Sequence, residues 1–142
     1  MTPERERRLL QWGVAGLVAF TAPLGALILL AGADVATWIF GVEYIEVENF
    51  AELDSALRFF GALFLGIAGV FAWSIPRIER AAPVFQIVSA AMVLGAVGRL
   101  ISAIDVGWPN APAVTLMVLE ASVLGFALWQ LRVQRAAARG AI

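Results

Sequence analysis

The hydrophobic residues of this chain are concentrated in four long stretches, separated by short polar segments. The stretches cover residues 9–33, 55–75, 82–104 and 112–131. Each has about 20 residues or more, the length an α-helix needs to cross a ~30 Å hydrocarbon core. Four buried helices of a soluble protein would leave too little polar surface to cover them in so short a chain. The pattern therefore predicts four transmembrane helices.

The residues between the stretches predict how the helices are connected. The turn over residues 76–81 and the loop over residues 105–111 are short, which favours antiparallel neighbours. We therefore predict an all-α, integral membrane four-helix bundle with up-down-up-down topology. The longest connection, residues 34–54, includes an alternation of apolar and acidic residues over 42–48. This alternation is typical of a short strand or of a segment at the membrane interface.

The positions of the arginines predict the orientation of the helices. All ten basic residues are arginine, and neither the 34–54 connection nor the 105–111 loop contains one. By the positive-inside rule, both termini and the 76–81 turn are expected to be cytoplasmic. The N-terminal basic segment resembles the start of a signal peptide. However, the apolar run that follows is longer than the usual ~7–15 residues, so we interpret it as the first span.

Composition supports a membrane protein and excludes several kinds of chemistry. Of the 142 residues, 61% are hydrophobic and 15% are charged, whereas soluble domains average about 45–50% apolar and about 25% charged residues. The length predicts a single four-span domain over residues 1–142. The chain has no cysteine and no histidine, which excludes disulfides, thiolate nucleophiles and histidine ligands. We therefore expect no cofactor, no metal site and no enzymatic activity.

Three ionisable residues, Arg58, Arg99 and Glu120, lie inside the apolar stretches. A charge at the centre of a membrane helix costs at least about 2.5–3.5 kcal/mol, so such residues normally face a partner or a wet cavity. Counted at about 1.5 Å per residue, all three belong to the outer half of the membrane. Asp54 precedes Arg58 by four residues and Ser102 follows Arg99 by three, so each pair lies on one helix face.

These five residues predict one candidate site, for which two interpretations remain open. If the helix faces converge, Glu120 accepts hydrogen bonds from one or both guanidinium groups, whose geometry matches a carboxylate. The site is then an ion-pair cluster that fixes the helix register, an outward-facing pocket for a polar or anionic head group, or both at once. An unpaired Glu120 could instead carry a proton.

Small residues four positions apart predict places where helices approach closely in lipid. Three such pairs occur in the second and third stretches: Ala62 and Gly66, Ala91 and Gly95, and Gly98 and Ser102.

Several short motifs support a family resemblance. They are residues 54–61 with Leu65-Gly66, residues 98–102, the Gly107-Trp108-Pro109 loop, and Glu120. With these motifs the chain resembles the small bacterial four-helix membrane proteins of domain-of-unknown-function family 4345, over about residues 9–131. The resemblance implies the same architecture, a place in the bacterial inner membrane and a charged outer site around Asp54, Arg58, Arg99 and Glu120. It implies no activity.

We therefore expect a non-catalytic membrane protein. It would serve as an accessory or structural subunit, or bind lipid or a small ligand. Its partners would be membrane lipid, other membrane subunits or a second copy of itself, and not nucleic acid. The alternative is a small proton-coupled transporter using Glu120, although we find no inverted repeats to support it. An enzyme acting on lipid, with Glu120 and Asp54 as acid and base, is the third option, and the scarcity of nucleophiles disfavours it.

Overall fold

The computed structural model describes residues 2–41 and 50–140. Within these residues the regular structure is helical and includes no strand. The segment predicted as a strand or interfacial segment, residues 42–48, lies outside the described residues. The helices are α1 (Pro3–Ala31), α2 (Asp34–Phe40), α3 (Phe50–Ser74), α4 (Ala82–Asp105) and α5 (Ala111–Ala138), and a 3-10 turn (Ile75–Arg77) follows α3. The predicted all-α class is confirmed.

Four of these helices are long and apolar enough to span a membrane. They are α1, α3 with its 3-10 turn, α4 and α5, and their most apolar windows have mean hydropathies of 1.8 to 2.3. No more than 28% of the residues in any of these 18-residue windows are buried. Large apolar side chains such as Trp12, Leu30 and Ile104 therefore face outward. Soluble monomers rarely expose contiguous apolar surface on this scale. The chain is therefore a multi-pass membrane protein, and the cytoplasmic placement of its termini stays a prediction.

The helices extend beyond the apolar stretches of the sequence. The 34–54 connection contains the short helix α2 and the first turn of α3. Each of these helices has an acidic residue in its first turn, Asp34 in α2 and Glu52 in α3. Acidic side chains stabilise the partial positive charge of a helix N-terminus. Hydropathy detects only the apolar part of each helix, so polar helical turns at its ends are missed.

The described residues form two compact units. The first, called here the α4–α5 unit, contains the residues up to Gly16 and those from Val70 onward. The second, called here the α1–α3 unit, lies within Leu17–Gly69. The single four-span domain stays a prediction.

In the α4–α5 unit, the two long helices pack antiparallel and hold buried polar side chains between them. Gln130 of α5 is fully buried, and its Nε2 donates to the Ile78 carbonyl at 2.8 Å. Its Oε1 accepts a hydrogen bond from Nε2 of Gln86 in α4 at 2.9 Å. Phe85, the residue before Gln86, packs edge to face against Phe71 of α3, with ring centroids 5.1 Å apart. Because a buried amide is costly unless bonded, the Gln86–Gln130 bond fixes the register of α4 against α5.

In the α1–α3 unit, two glycines bring helix backbones into direct contact. A Cβ atom added to Gly25 of α1 would lie 3.1 Å from the Gly61 carbonyl oxygen. One added to Gly61 of α3 would lie 2.9 Å from the Gly25 carbonyl oxygen and 2.8 Å from the Leu29 Cα. Such an approach is possible only without side chains. By contrast, no atom of another helix in the same unit lies within 4 Å of a Cβ added to Gly66 or Gly98, so neither glycine makes the predicted close helix contact within its own unit.

Candidate functional site: two intramembrane ion pairs

The first ion pair joins Asp54 and Arg58 at the start of α3. Arg58 Nε donates to Asp54 Oδ2 at 2.7 Å, and the Ala33 backbone N–H donates to Asp54 Oδ1 at 2.9 Å. Arg58 Nη1 donates to the carbonyls of Leu29 and Leu30, at 3.1 and 2.8 Å. These carbonyls belong to the last turn of α1, where helix geometry leaves them without intrahelical partners. The pair therefore caps the end of α1 and ties α3 to the turn before α2.

Gly32 lies directly beside this ion pair, at the C-terminal end of α1. Its φ of +57° lies in the left-handed region, and its N–H donates to the Ile28 carbonyl at 2.8 Å, a geometry typical of helix C-termini. A Cβ atom at this position would collide with the Asp54 carboxylate and lie 2.9 Å from Arg58 Nε. Gly32 is thus required both for the turn and for access of the ion pair to the end of α1.

Replacing Asp54 with alanine is expected to lower the melting temperature in detergent by about 5 °C. The Ala33 N–H would lose its cap and Arg58 its carboxylate, although water or lipid head groups replace part of each bond at this partly exposed position. Glu52→Ala is the matched control, because Glu52 is an exposed acid on the same helix that bonds to no other segment among the described residues, so its loss removes only its small helix-dipole contribution. Equal melting temperatures for the two variants would contradict the capping role.

The second ion pair joins α4 to α5 inside the α4–α5 unit. Arg99 Nε lies 3.0 Å from Glu120 Oε2, and the side chains of Arg99 and Glu120 are 38% and 7% exposed. Gly95, one turn before Arg99, lies beside the carboxylate, and a Cβ there would lie 3.6 Å from Glu120 Oε2, an ordinary van der Waals contact. A charge-assisted hydrogen bond of this kind is stronger than a neutral one. It accounts for how an acid is accommodated in a membrane helix.

The structure forms two of the contacts expected for the predicted site. Asp54 bonds Arg58, and Glu120 bonds Arg99. The two pairs belong to different compact units, so their union in one site stays a prediction. Ser102 is exposed, and its backbone carbonyl accepts a hydrogen bond from the Val106 N–H at 2.9 Å. Its hydroxyl is bonded to no described residue.

Sequence reasoning missed several polar groups that join helices. They are the glutamines Gln11, Gln86 and Gln130, and the ion pairs Arg7–Glu79 and Glu6–Arg132. The glutamines carried a usable signal, because Gln86 and Gln130 lie inside predicted spans, where an unbonded amide is costly. A search confined to ionisable residues passes over them.

An apolar groove runs between α4 and α5. Its volume is about 250 Å³. Only aliphatic and methionine side chains line it, among them Val93, Ala96 and Leu100 of α4 and Met117, Ala121 and Leu124 of α5. The groove is therefore a concave apolar surface, and its lining has no polar side chain that could bind a lipid head group.

Comparison with protein families agrees with this architecture. A family model matches residues 9–131, and its description is Domain of unknown function (DUF4345). The chain belongs to this family. The match confirms the resemblance seen in the sequence, and the matched range covers most of each of the four long helices. The family description assigns no activity. Searches of curated proteins and of solved structures found no match.

Proposed function

We propose that this chain is a non-catalytic accessory protein of the membrane that binds lipid through its α4–α5 groove. The observation that carries the proposal is the groove itself, whose lining is apolar on both helices. An accessory protein of this kind acts by binding its neighbours in the bilayer and catalyses no reaction.

An acyl chain is the occupant that best fits the groove. On α4 the lining extends from Val93 to Leu100, about 10 Å along the helix axis. Both helices are membrane-spanning candidates, so the groove is parallel to the lipid tails when the helices cross the bilayer. Ligand sites that are concave and apolar bind mainly by excluding solvent and by dispersion contacts. A hydrocarbon tail satisfies both conditions without polar partners.

The bonding of the charged residues supports a non-catalytic role. Both carboxylate oxygens of Asp54 accept hydrogen bonds, and Arg58 is engaged through two nitrogens. Glu120 is held by Arg99. A carboxylate fixed in this way stabilises the fold and is poorly placed to exchange protons with a substrate.

Filling the groove is expected to reduce lipid retention in native mass spectrometry of the purified protein. Ala121→Phe places a ring in the groove from an exposed position, and losing contact with about two methylene groups costs roughly tenfold in affinity. Ala91→Phe is the matched control, because Ala91 is an exposed alanine of α4 outside the groove lining.

Three outcomes would contradict the proposal. They are a wild-type protein that is a lone, lipid-free monomer, equal lipid retention by Ala121→Phe and Ala91→Phe, and a co-purifying membrane polypeptide that Ala121→Phe displaces. The last outcome would assign the groove to a partner helix.

Glu120 favours a second candidate, a small proton-coupled transporter. An acid so deeply buried in a membrane helix is typical of proton pathways. Its bond to Arg99 would have to open in each transport cycle. Substrate-dependent proton flux in liposomes that Glu120→Gln abolishes would support this candidate, and the absence of flux would exclude it.

A further inference from the structure

Three segments of the α4–α5 unit are joined by ion pairs at one end of the unit. Glu6 of α1 pairs with Arg132 of α5, with 2.9 Å between the carboxylate oxygen and the guanidinium nitrogen. Arg7 of α1 pairs with Glu79 of the α3–α4 turn at 2.8 Å. The start of α1, the turn between α3 and α4, and the end of α5 therefore lie together.

These pairs use two of the three acids in these segments and leave most of the arginines exposed. Glu4 is the remaining acid. Six exposed arginines have no carboxylate partner among the described residues, and we call them the basic rim: Arg5, Arg8, Arg77, Arg80, Arg135 and Arg139. The rim is strongly cationic because two of the three acids beside it, Glu6 and Glu79, are already neutralised by ion pairs between the segments.

The rim lies at the level expected for lipid head groups. Arg77 stacks on Trp73, with its Cζ 5.0 Å from the ring centroid, and its Nη1 donates to the Trp73 carbonyl at 3.1 Å. Trp12 of α1 is 76% exposed. Exposed tryptophans in membrane proteins concentrate at the bilayer interface. The stacking interaction therefore fixes the Arg77 guanidinium beside a residue type that is typical of the bilayer interface, where lipid phosphates are found.

Small polar clefts accompany the arginines. Arg8 and Glu4 border a cleft of about 200 Å³ that Arg7 and Gln11 also line. They border a second cleft, of about 220 Å³, together with Thr2 and Arg5. Each cleft presents two arginines and one acid. A phosphate group entering either cleft would meet guanidinium donors, whose planar fork matches phosphate geometry.

We propose that the basic rim binds the phosphate groups of anionic phospholipids and prefers them to zwitterionic phospholipids. Clusters of arginine next to membrane helices attract anionic lipid. Here the fold adds a fixed Arg77 and clefts that a merely charged, disordered segment would lack. The selectivity concerns the head group, and so it differs from the groove between α4 and α5, which takes a tail irrespective of its head group.

Lipid titration followed by native mass spectrometry of the purified protein tests this assignment, with phosphatidylglycerol and phosphatidylcholine of matched chains as probes. The wild type is expected to bind phosphatidylglycerol more tightly. Because each arginine near an anionic surface contributes roughly fivefold to binding, Arg77→Gln with Arg80→Gln should weaken phosphatidylglycerol binding about 25-fold. Phosphatidylcholine binding should change little.

The controls separate charge from folding. Arg77→Lys with Arg80→Lys keeps both charges and should retain most of the preference, whereas Glu4→Gln removes the unpaired acid and should strengthen phosphatidylglycerol binding. High salt should reduce the preference of the wild type without unfolding it. Equal affinities of the wild type for the two lipids, or an unchanged preference in the double glutamine variant, would overturn the proposal. Ala121→Phe should lower binding of both lipids by the same factor, because the groove binds the tail. A wrong groove assignment would therefore appear as unchanged binding in Ala121→Phe, and a wrong rim assignment as an unchanged preference in the double glutamine variant.

Discussion

Replacing Glu120 with alanine is expected to lower the free energy of unfolding by about 3 kcal/mol. Removing one partner of a buried ion pair costs about 3–5 kcal/mol, because the other charge is left uncompensated. The lower end of that range applies here, since Arg99 is 38% exposed and can extend its guanidinium toward the interface. Reversible unfolding of the purified protein in mixed micelles, titrated with a denaturing detergent, measures the change.

Two further variants determine whether the pair itself is responsible. Arg99→Gln combined with Glu120→Gln removes both charges and keeps their approximate size, so it should recover most of the loss. Ser102→Ala, at an exposed position of α4, the helix that carries Arg99, should stay within about 0.5 kcal/mol of the wild type. If Glu120→Ala unfolds at the wild-type midpoint, the carboxylate is solvated in the membrane and the pair contributes nothing.

Replacing Gly61 with alanine is expected to cost about 2–3 kcal/mol. The added methyl group would collide with the Leu29 backbone and would lie 2.9 Å from the Gly25 carbonyl oxygen. Backbone atoms cannot rotate away as a side chain can, so α1 and α3 would have to move apart, and overpacking a well-packed contact typically costs about 1–3 kcal/mol. The same micellar unfolding measurement applies.

Gly66 provides the matched control on the same helix. No described atom lies within 4 Å of a Cβ added there, and alanine is the better helix former by about 1 kcal/mol. Gly66→Ala should therefore be neutral or mildly stabilising. A comparable loss in Gly61→Ala and Gly66→Ala would mean that glycine flexibility, rather than close packing of α1 on α3, determines the stability.

The difference between Gly61 and Gly66 illustrates the limit of motif reading. Spacing by four residues selected Gly66 and Gly98, yet the close contact is made by Gly25 and Gly61, which lie on different helices. A sequence motif identifies small residues that share one helix face. It contains no information on which face turns toward a neighbour, because that rotation depends on packing along the whole helix.

The candidate site was predictable in its residues and less so in its partners. The cost of a charge in hydrocarbon singled out Arg58, Arg99 and Glu120, and the helical spacing of Asp54 and Arg58 predicted their bond. The bond of Arg58 to the end of α1 was not predictable, because it depends on where α1 ends and on the left-handed turn at Gly32.

The sequence by itself determined the number of long apolar helices, the family and the residues that need polar partners in a membrane. These properties follow from hydropathy and residue type, which are local and add along the chain. Only the tertiary structure decided that Arg99 is the partner of Glu120, that Gly25 meets Gly61, and that Glu6 and Glu79 are neutralised beside the basic rim. Each of these contacts depends on how helices rotate and approach one another. Many weak packing interactions determine that arrangement together, and no single segment of the sequence contains it.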